Sequence, residues 1–335
     1  MSSLLKVGMV GLGTISYIHQ IAIEQSGLGE LVAVCDINPK TQKDYEAFRF
    51  YTHLEEMLSV EDLDVVHICL PHDLHKSATE LILSYGVHVF MEKPIGISYQ
   101  EAKELSEFEK EYEKKVGICF QNRYNRSIVT LKERLQSETV EGVKGLVVWF
   151  RPESYYKLQP WRGQMERAGG GVIINQAIHT LDLMHFVAGE AIECSAQLSQ
   201  LLDYDIEVED TASALFEFDS GAKGVFMATN GYVENSTVEL EVKTNRNKYV
   251  IKDNCLYQYN NEGQREFICE DDLLEGYKSY YGQGHKICVK QFYQAIVDDT
   301  EEYIRIDDAI NTMQMVDMMK LSSENGRTIK VKELI

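Results

Sequence analysis

Short apolar runs alternate with stretches of amphipathic spacing through the first third of the chain. Val7–Val10 reads as a buried strand, and Gly11-Leu12-Gly13 leads from it into a helix through Gln25. Leu31–Cys35 is a second strand, closed by Asp36 and the turn Asn38-Pro39. Val65–Leu70 is another, stopped by Pro71 and followed by a helix through Tyr85. Val87–Met91 runs into Glu92-Lys93-Pro94, and a charged helix over Tyr99–Lys114 precedes a strand over Val116–Phe120. Alternation of this kind predicts βαβ units and a parallel, doubly wound α/β sheet.

Past about Asn122 the period changes. Thr211–Asp219 sets Ala212, Ala214, Phe216 and Phe218 against Thr211, Ser213, Glu217 and Asp219, with Leu215 the exception. Ser220-Gly221 turns into Lys223–Gly231, and Thr237–Thr244 and Lys248–Lys252 follow. Period-two alternation with tight turns predicts an antiparallel sheet wet on one side. Helical spacing returns over His285–Val297 and Asp308–Ser323. No repeat or flexible linker intervenes, so two domains are expected, residues 1–122 and 123–335.

Composition fits a globular protein, with 44% hydrophobic and 26% charged residues and five prolines. A net charge of −20 makes nucleic acid and anionic membrane surfaces poor partners. The longest apolar runs, such as 146–150, fall far short of a bilayer span, and the N-terminus lacks a basic leader pattern. Seven scattered cysteines form no C-x-x-C pair, which predicts reduced core thiols, a cytoplasmic location and no metal site.

Gly11-Leu12-Gly13-Thr14-Ile15-Ser16 follows a strand and opens a helix, the setting of a dinucleotide fingerprint. The first glycine makes the turn, the second admits the pyrophosphate, and Ser16 replaces the third. Asp36, 20 residues past Ser16, suits ribose hydroxyls and repels a 2′-phosphate, so NAD is expected over NADP; a turn-capping role is its plainer reading.

Further stretches carry a family resemblance: Leu70-Pro71-His72-Asp73-Leu74-His75, Met91-Glu92-Lys93-Pro94, Phe120-Gln121-Asn122-Arg123-Tyr124-Asn125, Trp161-Arg162, Gly282-Gln283-Gly284-His285 and the run from Gly169 through His179 to Asp182. Together they resemble the Gfo/Idh/MocA oxidoreductases over essentially the whole chain. The resemblance implies a Rossmann domain followed by an α/β domain on a large, mostly antiparallel sheet, whose open face assembles a homodimer or homotetramer. It implies hydride transfer between a nicotinamide and a carbinol or carbonyl carbon of a sugar, sugar derivative or cyclitol. Lys93 is the implied catalytic residue and His179 its partner. Gly11, Gly13, Thr14, Ile15, Asp36, Leu70, Pro71, His75, Glu92, Trp161 and Arg162 are implied beside the cofactor. His72 fits that place and a capping role equally.

Lys93 ends a strand of the parallel sheet, the edge where ligands bind. Partial desolvation and a positive nicotinamide ring there would disfavour its ammonium form, making it a base for the substrate hydroxyl; a surface lysine paired with Glu92 is the plainer reading. On a continuous helix Asn175, His179 and Asp182 share one stripe, with Asp182 placed to orient His179. Relatives commonly carry aspartate at the position of Asn175; an amide cannot shuttle a proton, which leaves Lys93 alone or with His179. Arg123, Tyr124, Asn125 and Tyr155 are expected to line the substrate cleft with Asn175. Two other functions compete: a cofactor-binding regulator without turnover, and a glycoside hydrolase using bound NAD for transient oxidation.

Overall fold

The structure, a computed structural model, describes residues 4–237, 239–260, 262–272 and 283–334. Val238, in the strand expected over 237–244, and Gly282 of the Gly-Gln-Gly-His run lie outside the described residues. The chain forms two compact units.

In the first unit, β1 (Leu5–Val10), β2 (Gly29–Cys35), β3 (Arg49–Tyr51), β4 (Val65–Ile68), β5 (His88–Glu92) and β6 (Val116–Cys119) make a six-stranded sheet. Its order is β3-β2-β1-β4-β5-β6, with every neighbouring pair parallel. Helices α1 (Ser16–Ser26), α2 (Leu54–Val60), α3 (His75–Ser84) and α4 (Tyr99–Glu109) connect the strands. All four residues of β4 and of β6 are buried, as strands covered on both faces must be. The order reverses beside β1, so the loop after Val10 opens at the crevice where such sheets take ligands.

In the second unit, α5 (Arg126–Leu135), β7 (Val140–Val148), the short turns α6 (Glu153–Lys157), α7 (Met165–Ala168) and α8 (Val172–Asn175), and α9 (Ile178–Ala188) precede a run of strands. These are β8 (Ala191–Ser199), β9 (Thr211–Phe218), β10 (Lys223–Thr229), β11 (Glu239–Thr244), β12 (Lys248–Lys252), β13 (Cys255–Tyr259) and β14 (Arg265–Glu270). After α10 (Gly284–Val297) and α11 (Ile306–Asn325), β15 (Ile329–Lys330) closes a nine-stranded sheet in the order β14-β13-β12-β11-β7-β10-β9-β8-β15. Only β7 and β10 run parallel among its described pairs. A Cβ on Gly145 of β7 would lie 2.7 Å from both Thr180 and Met184 side chains, so glycine lets α9 pack this close to the sheet. On the opposite face Leu215, Val225 and Met227 stand 60%, 50% and 44% exposed, an apolar patch on two paired strands. No described helix is long and apolar enough to cross a membrane.

Residues 283–310 group with the first sheet rather than with the second domain where a single break at 122 would put them. The cause is aromatic packing from α10. Phe292 and Tyr293 are fully buried, and a Cβ on Gly117 or Gly29 would fall 2.6 Å from their rings. Glycines in β6 and β2 leave the notches that these rings fill.

The helix expected to run to Lys114 stops at Glu109, whose carboxylate accepts the Val116 N–H at 2.9 Å. Burial pushes the Glu109 carboxyl up to about 7, against that hydrogen bond. The folded state therefore favours its protonated form. This contribution to stability is complete below the ordinary value of 4.5 and is lost as pH rises through about 7. Glu109→Gln keeps the acceptor and removes the charge. It should stabilise the protein by roughly 2 kcal/mol at pH 8 and by nothing below about pH 4.5. Denaturant unfolding at the two pH values checks this.

Candidate active site

The loop from Gly11 to Ile15 is shaped for close backbone approach. Gly11 has φ +87°, and a Cβ there would sit 2.6 Å from the Cys69 carbonyl oxygen at the end of β4. Gly13 has open space where its Cβ would be, so no protein neighbour requires glycine there and the room faces outward with exposed Thr14. The α1 N-terminus has no side-chain cap at Ile15, and the Ser16 and Ile18 N–H groups turn back to the Gly13 and Ile15 carbonyls at 3.3 and 2.9 Å, so the positive end of the helix dipole sits beside this loop. Asp36 follows β2; its carboxylate accepts the Leu12 N–H at 2.7 Å and the Asn38 N–H at 2.8 Å. The turn-capping reading and the ribose reading thus coexist, because a carboxylate has further lone pairs to offer. Ile37, 89% exposed beside it, is an apolar surface that periodicity gave no reason to single out.

Leu70 and Pro71 follow β4 at half exposure, and His72 is buried with its ring 5.9 Å from that of His75. His75 was expected beside the cofactor. It is fully buried, with Nδ1 2.7 Å from the Pro94 carbonyl and Nε2 2.9 Å from the Leu70 carbonyl. Burial pushes this imidazole below its ordinary value despite both acceptors, so it serves as a neutral strut between the two strand-end loops. Glu92, also implied beside the cofactor, is the last residue of β5. Its carboxylate turns into the core, with Oε1 3.0 Å from His19 Nε2 and 3.6 Å from His285 Nε2. Burial opposes its ionisation, but the two histidines hold it well below the ordinary carboxylate range. Lys93 comes next, half-buried past the carboxyl end of β5, with a cis peptide to Pro94.

In the second unit the glycine run clamps a carboxylate that the sequence left unsuspected. Both Glu209 oxygens lie 2.9 Å from the Gly171 N–H, and Oε1 also accepts the Ile173 N–H at 3.0 Å. A Cβ on Gly171 would fall 1.8 Å from the Glu209 carbonyl oxygen, and one on Gly169, at φ +75°, 2.5 Å from that of Ile97. The single helix expected from Asn175 onward is broken. The Ala177 N–H returns to the Val172 carbonyl at 2.8 Å, five residues back, and α9 restarts at Ile178. Asn175 and His179 are nevertheless the two half-exposed residues of 171–180, the rest being buried.

Asp182 does not orient His179. Its oxygens accept Arg123 Nη2 at 2.6 Å, Arg123 Nε at 2.9 Å and the Thr312 hydroxyl at 3.0 Å. Arg123, expected at the substrate, is buried and makes this fork, with Phe186 5.0 Å beneath it. Tyr124 and Asn125 stay half-exposed at the entry to α5. The Tyr155 hydroxyl accepts Gln176 Nε2 at 2.9 Å, and the Arg162 guanidinium lies 4.2 Å from the Tyr155 ring and 5.7 Å from that of Trp161. The structure thus gathers Tyr155, Trp161 and Arg162 in one group.

Residues 5–120 match the oxidoreductase family with an NAD-binding Rossmann fold, and residues 128–249 match the GFO/IDH/MocA C-terminal domain. The chain belongs to the Gfo/Idh/MocA family. As a member it is an oxidoreductase with an NAD-binding domain, and the open loop at Gly13, the uncapped α1 and Asp36 suit that cofactor. It is 22% identical to myo-inositol 2-dehydrogenase of Thermotoga maritima over 342 residues, covering 99% of this chain and 100% of that protein. It is 26% identical over 245 residues to 1-carboxy-3-chloro-3,4-dihydroxycyclohexa-1,5-diene dehydrogenase of Comamonas testosteroni, covering 70% of this chain and 60% of that protein. Among solved structures, the WlbA dehydrogenase from Bordetella pertussis in complex with NADH and UDP-GlcNAcA superposes with a TM-score of 0.85 at 25% identity, covering 98% of this chain and 99% of that one.

Proposed function

We propose that this Gfo/Idh/MocA protein is an NAD-dependent dehydrogenase or reductase acting on a CH–OH group of a sugar, a sugar derivative or a cyclitol. One observation carries the reading. Lys93 stands half-buried past the end of β5, directly after an inward-turned carboxylate, on the sheet edge where the dinucleotide loop opens. The nicotinamide, when bound, supplies the hydride acceptor or donor. Lys93 removes the proton from the substrate hydroxyl in oxidation and returns it in reduction. His179 hydrogen-bonds the same oxygen and shares the proton, while Asn175 orients the substrate and takes no proton itself. Tyr124, Asn125 and Tyr155 present rings and hydrogen-bonding groups suited to a polyhydroxylated ring. Asp36 takes the ribose hydroxyls of NAD, and the exposed Ile37 supplies an apolar platform for the adenine. The relatives named above, one acting on myo-inositol and one holding a nucleotide sugar acid, support this substrate class.

The apolar patch of Leu215, Val225 and Met227 is the proposed contact of a homodimer or homotetramer. The free cysteines suit a reducing, cytoplasmic setting.

The test is a panel of polyols, sugars and nucleotide sugars with NAD+ and NADP+, followed by absorbance of the reduced nicotinamide. Turnover with at least one carbohydrate and a preference for NAD+ are expected. Asp36→Ser should erode that preference by about tenfold or more, the effect of losing hydrogen bonds to a charged acceptor. No turnover across the panel, or equal rates with NADP+ for the unaltered protein, would count against the reading.

A further inference from the structure

Four buried side chains with ligand atoms converge inside the first unit, and the reaction above uses none of them directly. His19 comes from α1, Glu92 from the last position of β5, Cys119 from the last position of β6, and His285 from the first turn of α10. One nitrogen, oxygen or sulfur atom from each lies within 4.8 Å of all the others. None of the four residues is more than 6% exposed. We propose that His19, Glu92, Cys119 and His285 form a structural site for one divalent cation of the zinc class.

The donor set selects the metal. Two imidazoles, a thiolate and a carboxylate suit a borderline-soft ion such as zinc, whereas magnesium and calcium require oxygen ligands throughout. Tetrahedral ligands at about 2.0–2.3 Å from zinc stand roughly 3–4 Å apart. Glu92 Oε1 already lies 3.0 Å from His19 Nε2 and 3.6 Å from His285 Nε2. A dication with one thiolate, one carboxylate and two neutral imidazoles is uncharged, the state that a water-free pocket accommodates at least cost.

An outer shell is in place for His19. A metal-bound imidazole passes its other N–H to an acceptor that fixes the ring. His19 Nδ1 lies 2.8 Å from His67 Nδ1, and His67 Nε2 lies 2.7 Å from the Tyr293 hydroxyl. With metal on His19 Nε2, His19 donates from Nδ1 to His67, and His67 donates from Nε2 to the tyrosine oxygen. Gln121, whose amide ends can exchange, sits 3.8 Å from Cys119 Sγ and can offer it an N–H. The ligands come from four separate segments, so the sequence shows no metal spacing. A cation here would tie α1, which carries the dinucleotide loop, to the strand end preceding Lys93.

Elemental analysis of full-length protein purified without chelator should find about one zinc-class ion per chain. Chelator-stripped protein should take up one equivalent of Co2+ with a thiolate-to-cobalt band in the near ultraviolet. Cys119→Ser should abolish that band and weaken binding at least tenfold, whereas Cys194→Ser, in the other sheet, should leave both unchanged. The wild-type cobalt spectrum decides without either variant. Stripped wild-type protein that binds no cobalt, or binds it without the thiolate band, overturns the site. So does a Cys119→Ser protein with an unchanged spectrum. Each of these readouts is independent of turnover.

Discussion

Replacing Lys93 by methionine is expected to lower kcat by about 10²–10⁴-fold while leaving NADH affinity within a fewfold of the unaltered protein. The reason is proton balance. Hydride departure from a carbinol leaves a carbonyl only if the hydroxyl proton goes elsewhere, and an aliphatic thioether can neither accept nor return it. Methionine preserves most of the volume, so the loop between β5 and Pro94 should stand, held by the His75 strut between Pro94 and Leu70. Lys93→Arg sharpens the test: it keeps a positive charge that does not deprotonate, and it should be nearly as inactive. Loss of the alkaline-rising limb of kcat/KM in both variants would assign that limb to the lysine. A Lys93→Met protein that turned over at the unaltered rate, with the same pH profile, would remove Lys93 from the chemistry. His179→Gln separates the two roles, because an amide can hold the substrate oxygen but cannot share its proton.

Local pattern made the strands, the glycine turn at Gly11 and the sheet-end loops legible, since each is written in a few adjacent residues. The alternation from Ala212 to Phe218 describes the buried face of β9, down to Leu215 as the exposed exception. Periodicity records which side of an element is buried, but not what meets it. The carboxylate that fills the clamp at Gly171 is 38 residues away, and the partner of Asp182 is 59 away. Nothing near either position announces the other. The return of α10 to the first sheet depends on notches at Gly29 and Gly117, which in sequence look like ordinary weak points of a strand. The helix stripe through Asn175, His179 and Asp182 assumed an unbroken 3.6-residue period. One five-residue turn at Ala177 resets that phase between Asn175 and His179, whereas Asp182, on the same helix as His179, is taken by Arg123.

Arg123 is where the two readings part most widely, and the expected result is structural. Its side chain and that of Asp182 are 8% and 1% exposed and joined through two hydrogen bonds. Arg123→Met would leave the Asp182 carboxylate in the core with the Thr312 hydroxyl as its remaining donor among the partners described. Breaking a buried pair from one side costs about 3–5 kcal/mol, because the stranded charge has lost both water and counterion. In a chain of this size that should lower Tm by roughly 4–7 °C. Removing the stranded charge as well should recover much of the loss. Arg123→Met with Asp182→Leu replaces the pair by apolar groups, and buried pairs so replaced are often neutral in stability. A substrate-binding arginine behaves differently: Arg123→Met would then raise KM with Tm unchanged, and the second substitution would restore nothing. Thermal unfolding of both proteins, read beside KM for whichever substrate the panel identifies, distinguishes a guanidinium that braces the start of α5 against α9 from one that holds a ligand.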